Sequence, residues 1–123
     1  MDVKKEESLF NDDEDARKLL QESRKRIDEI DNDIVDLIHE RTSLAKDIVQ
    51  AKVFLGMEIY DANREKAIHD KVLKLANEKD IDASILSEIM NMLTILSKNK
   101  QREILEEWLW EILELHLYFI ILL

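Results

Sequence analysis

A few polar residues stand in this 123-residue chain where apolar ones are expected, and their types suggest chemistry. Arg41 and Lys52 interrupt an apolar helical seam. They are eleven residues apart, close to three helical turns, which puts them on one face about 16 Å apart. Ser97 and Gln101 interrupt a second seam, one turn apart. Asp61, Arg64 and Glu65 cluster at the head of a shorter segment. Each has an ordinary structural reading. Long cations snorkel from a seam to water. A buried Ser bonds to a carbonyl one turn back. Arg64 and Glu65 fit a solvated first turn, with Glu65 favoured by the helix dipole. Gln101 is harder to place that way, because an amide has four hydrogen-bonding sites to fill. Together the residues make a polar cluster rich in cations on inner helix faces. It holds no nucleophile with a paired base, no Gly-rich phosphate loop and no metal-ligand set. Such a cluster suits a small, compact polyanion such as a dicarboxylate. The catalysis it suggests works by orientation and electrostatics.

The elements that must position these residues are helices. Arg17 to Val53 has no Gly or Pro and is rich in strong helix formers. Its apolar residues recur at Ile27, Ile30, Ile34, Leu37 with Ile38, Leu44 with Ala45, and Ile48, which is the spacing of one helical face. A helix over that stretch is roughly 55 Å long. A compact monomer of this size has a radius of gyration of about 14 Å. A projecting helix with an apolar stripe needs a partner, and a second copy of itself is the simplest one. The only Gly, Gly56, supplies a C-terminal cap and turn. Asp61 caps a second helix running to about Glu78, with Ile68, Val72 and Leu75 on its apolar face. Lys79 to Ile81 is a tight link. Asp82 caps a third helix from Ala83, with a stripe of Leu86, Ile89, Met90, Leu93, Leu96, Ile104, Leu105 and Trp108. The expected fold is all-α: three helices, long, short and long.

Composition excludes several classes. There is no Pro and no Cys, so turns are few and disulfides and thiolate metal sites are absent. His39, His69 and His116 lack metal-ligand spacing, so no metal or other cofactor is expected. The net charge of −10 sits at the ends: residues 1–15 carry −5, residues 103–123 carry −5, and the middle is neutral. Nothing resembles the basic footprint of a nucleic-acid binder. The chain opens on polar, acidic residues, so the expected location is cytoplasmic. Residues 1–15 read as a disordered acidic lead-in, whose Asn11 to Asp15 run also places negative charge at the start of the long helix. Residues 107–123 read as an apolar tail. It is too short to span a bilayer comfortably, and Glu111 and Glu114 lie inside it. Packing on a second subunit or another protein is the expectation. A peripheral membrane contact is disfavoured by its acidic polar residues, and an appended foreign segment is the third reading.

Several motifs resemble one family. Arg24 to Asp31, then Glu40-Arg41, Leu44-Ala45 and Lys52, resemble the long helix of the all-helical chorismate mutases, in particular their short, single-function archaeal members. Asp61 to Glu65 is similar to that family's loop and second-helix start, and Ser97 with Gln101 to its third-helix pair. The likeness runs from about Arg17 to Leu105, so the expected domain is 16–106.

The resemblance implies two intertwined chains with two shared active sites, and the rearrangement of chorismate to prephenate on the route to phenylalanine and tyrosine. It implies that Arg24 of the second chain and Arg41 hold the substrate carboxylates. Lys52 and Gln101 would donate to the ether oxygen of the breaking bond. Glu65 and the backbone near Asp61 would hold the ring hydroxyl, with Arg64 and Ser97 completing the walls. Independently of the family, Arg24 and Arg41 lie about 25 Å apart along one helix. One small substrate can meet both only if a second chain supplies one of them. The competing reading is a dimeric helical interaction module whose apolar tail docks a partner. Such a module gains nothing from Arg41, Lys52 and Gln101 in its core.

Overall fold

The computed structural model describes residues 9–123. Its elements are α1 (Asp13–Ser43), α2 (Ala45–Leu55), α3 (Ala62–Lys79) and α4 (Ala83–Leu122), with no strand among the described residues. The long, short, long order of an all-α chain is thus observed, with its first helix interrupted at Leu44. The chain divides into two units, one ending at Leu37 and one from Ile38 to Leu123.

In the first unit, α1 begins at Asp13, four residues before the expected Arg17. Asp12 is the cap: its carboxylate accepts the Asp15 N–H at 2.8 Å. Asp13 to Asp15, read from sequence as the end of the lead-in, therefore form the acidic first turn. Residues 1–8 of that lead-in lie outside the described residues. The apolar stripe runs along α1, but Ile27, Ile30 and Ile34 are 53%, 40% and 47% exposed.

In the second unit, the expected continuous helix through Val53 is divided. The Thr42 hydroxyl donates to the Ile38 carbonyl at 2.7 Å, and the Ser43 hydroxyl to the Glu40 carbonyl at 2.6 Å. Hydroxyls that capture carbonyls one turn back loosen the ladder they borrow from. The ladder loosens at Leu44, whose backbone keeps helical angles (φ −68°, ψ −13°), and α2 runs on from Ala45. It closes on Gly56, whose φ of 68° is the left-handed cap conformation that glycine adopts without strain. The Gly56 and Met57 N–H groups return to Val53 and Lys52 carbonyls. Asp61 and Asp82 cap α3 and α4 as expected, accepting the Arg64 and Ile85 N–H groups at 3.0 and 2.9 Å. Asp80 ends α3 in the left-handed region, with φ 53°.

α4 packs against both α2 and α3. The buried core is Ala45, Val49, Val72 and Ala76. These small side chains let the helices approach closely. Of the expected α4 stripe, Ile89 and Leu96 remain exposed at 52% and 41%. The apolar tail continues α4 as helix to Leu122, and its side chains from Leu109 on are exposed.

Candidate active site

Four elements converge on one cavity of about 340 Å³, a size that suits a small ligand. Ala45 and Val49 are fully buried on α2, and Lys52 is next on the same face, so the packing that buries them turns Lys52 inward. Arg41 precedes Ala45 by one turn at the end of α1. On α4, Ser97 and Gln101 occupy successive turns. The Asp61 cap fixes the first turn of α3, which presents Arg64 and Glu65.

Hydrogen bonds tie these side chains together. The Lys52 ammonium donates to the Ile59 carbonyl at 2.5 Å and to Gln101 Oε1 at 2.9 Å. Gln101, only 3% exposed, donates from Nε2 to the Ser97 hydroxyl at 3.2 Å. An ammonium can only donate, so the Gln101 atom facing Lys52 must be the carbonyl oxygen. That fixes the amide the right way round. One Lys52 N–H and one Gln101 N–H are left over by these bonds. Arg41 Nη1 donates to the Leu93 carbonyl at 2.9 Å.

The lining carries four cations, Arg41, Lys52, Arg64 and Lys98, against two carboxylates, Asp61 and Glu65. The excess matches a dianion. Burial pushes the Lys52 pKa below the usual lysine value; the Asp61 and Glu65 carboxylates oppose that shift, and Lys98 adds to it. Glu65 Oε1 accepts from Lys98 at 3.0 Å. Its other oxygen, Oε2, is buried with no partner. A buried acceptor left unmatched is costly, and a hydroxyl-bearing ligand would supply the missing donor.

Seven of the eight residues singled out from sequence line the cavity: Arg41, Lys52, Asp61, Arg64, Glu65, Ser97 and Gln101. Arg24 is not among them. It is exposed and belongs to the unit ending at Leu37. The sequence reading missed Lys98 and the apolar wall of Leu44, Ile48, Ile59 and Ile68. Lys98 stands three residues before Gln101, a spacing that shares a helix face. No group of three His, Asp or Glu side chains among the described residues has metal-binding geometry.

The family model of chorismate mutase type II matches residues 23–102. The chain belongs to the chorismate mutase type II family. The match takes in all eight positions, from Arg24 to Gln101, and leaves the α4 extension outside. A chorismate mutase of Methanocaldococcus jannaschii is 48% identical over 88 residues, 72% of this chain and 89% of that protein. A bifunctional chorismate mutase/prephenate dehydratase of Aquifex aeolicus is 42% identical over 59 residues, which is 48% of this chain but 16% of that protein. Among solved structures, the NMR structure of a monomeric chorismate mutase from Methanococcus jannaschii superposes with a TM-score of 0.57 at 44% identity. It covers 73% of this chain and 94% of that one.

Proposed function

We propose that the cavity binds chorismate and isomerises it to prephenate by a [3,3] shift, in which an ether C–O bond breaks as a C–C bond forms. The observation that carries this reading is the Lys52–Gln101–Ser97 chain set in a cation-rich cavity. The reaction is unimolecular and moves no proton to or from the protein. It needs a flexible dicarboxylate folded into a reactive pose and charge stabilised on the departing ether oxygen. Arg41 clamps a carboxylate, a task its guanidinium fork fits. The spare N–H groups of Lys52 and Gln101 donate to the ether oxygen. Glu65 Oε2 accepts from the ring hydroxyl, beside the backbone at Asp61. Arg64 and Ser97 complete the carboxylate contacts and walls.

The active form in this reading is a homodimer with shared sites, in which Arg24 of the second chain meets the other carboxylate. Two facts support it. The α1 stripe is left largely exposed within one chain. Arg24 also stands seventeen residues before Arg41 in the sequence, about 25 Å for a continuous helix. Residues 16–106 form the catalytic domain, and 107–123 is a contact surface for protein. No helix of the described residues is long and apolar enough to cross a membrane, and a cytoplasmic setting goes with a small-molecule isomerase. An interaction module would leave the cavity charges without a task.

The test is the loss of chorismate absorbance on adding purified protein, with prephenate identified by NMR, repeated after deletion of 108–123. Both forms should turn chorismate over, since all eight residues precede the deletion. Untouched chorismate with the full chain would overturn the assignment. A folded but inactive deletion would place the tail inside the catalytic domain.

A further inference from the structure

Lys98 makes an ion pair unlike the others. The four other pairs among the described residues join side chains three or four apart on one helix and are largely exposed. Lys98 instead bridges α4 to Glu65 on α3, and the two side chains are 20% and 25% exposed. Its ammonium also lies over the Tyr60 ring, 5.4 Å from the centroid, within range of a cation–π attraction. It is thus committed to the α3 side of the cavity by two partners. One carboxylate oxygen of Glu65 is spent on it, and the other is buried and unmatched.

We propose that Lys98 is a positioning residue, holding Glu65 so that Oε2 stays free to accept a substrate hydroxyl while Lys52 stays free to donate to the ether oxygen. The inference rests on the mutase reading of the cavity. Its logic is competition between two ammonium groups for one carboxylate. The groups that share the cavity with Lys52 are Gln101 and Lys98 on α4, Asp61, Arg64 and Glu65 at the head of α3, the Ile59 carbonyl before it, and Arg41 at the end of α1. With Lys98 gone, Lys52 is the remaining ammonium of the cavity, and it already feels the Glu65 charge. A direct pair between them would consume the hydroxyl acceptor and the ether donor together. Lys98 opposes that by neutralising the carboxylate through Oε1 and holding it on its own side of the cavity, beside Tyr60. An ammonium already bonded to a carboxylate and seated on a ring is poorly placed to bind the substrate anion itself.

A mutant cycle tests this. Lys98→Met should lower kcat/KM by about 10²-fold, the loss that misplacing one group causes. Lys98→Arg, which can reach the same carboxylate, should recover most of it. In a Glu65→Gln background, Lys98→Met should cost little further, because nothing remains to position. Equal losses in both backgrounds would overturn the proposal and make Lys98 a direct substrate contact. Parent-like activity of Lys98→Met would overturn it as well. If Lys98→Met does not fold, Lys98→Gln takes its place in the cycle. A second readout does not depend on turnover: the Lys52 ammonium, titrated by NMR, should shift to higher pKa in Lys98→Met. It loses a neighbouring cation and gains a carboxylate, and both changes raise it. An unmoved Lys52 would refute the inference even if the protein left chorismate untouched, whereas inert wild-type protein with the expected Lys52 shift would refute only the mutase reading.

Discussion

Gln101 shows how much a single buried amide decides. Its carbonyl oxygen is held by Lys52 and its nitrogen by Ser97, so the second N–H has one direction left to it. A Gln101→Glu substitution keeps the shape and the bond from Lys52. Ionised, the introduced carboxylate accepts only and repels an oxygen that is gaining charge; protonated, it donates again. Burial favours the neutral form and the Lys52 ammonium the ionised one. The variant should therefore be slower by about 10²–10³ at neutral pH and recover as the pH falls, while the parent changes little. Paired pH–rate profiles measure this. A variant that tracks the parent at every pH would remove Gln101 from the reacting oxygen. Gln101 was legible in the sequence because an amide on an apolar stripe is hard to satisfy. Lys98 was not, since a Lys on a helix reads as solvated and its partner is thirty-three residues away.

At the scale of the element, the caps were legible and one interruption was not. Gly56, Asp61 and Asp82 each sit where only a few residue types suit the backbone, so local sequence names them. The start of α1 was underdetermined, because Asn11 to Asp15 offers several adjacent caps. The loosening at Leu44 depends on which carbonyl the Thr42 and Ser43 hydroxyls choose, and spacing carries no record of that. The Asp61 cap matters most to the site, because Arg64 and Glu65 lie in the turn it fixes. Asp61→Ala should cost about 1 kcal/mol, a fall in melting temperature of about 4 °C by calorimetry. Asp61→Asn should restore the cap and the stability. It also removes a charge that supports protonated Lys52. The Lys52 pKa then falls further, and activity should be lost at lower pH as the solution is made alkaline. Identical alkaline limbs in Asp61→Asn and the parent would show that Asp61 acts on Lys52 only through the fold.

For the whole molecule, the unfinished business of one chain points to a second. The α1 stripe was plain in the sequence by its spacing, yet Ile27, Ile30 and Ile34 are exposed. A second chain would cover them, and periodicity signals such a need without specifying what meets it. The same holds for Arg24: it lies within the family match, but seventeen residues along α1 from Arg41. A two-fold dimer answers both, since its symmetry brings the same patch of each copy to the other. In the proposed dimer each site would take Arg41 from one chain and Arg24 from its partner. Arg24→Ala and Arg41→Ala should each be nearly inactive as pure proteins, because every site lacks one clamp. Mixed and allowed to exchange subunits, they should regain activity. In a mixed dimer one site carries both lesions and the other carries neither. Equal mixing makes about half of the dimers mixed, so about a quarter of all sites are intact. A gain to about a quarter of parent activity, arriving at the rate of subunit exchange, is the expected result. Exchange demonstrated by mass-tagged subunits without any gain would mean that both arginines act within one chain, and the shared site would have to be abandoned.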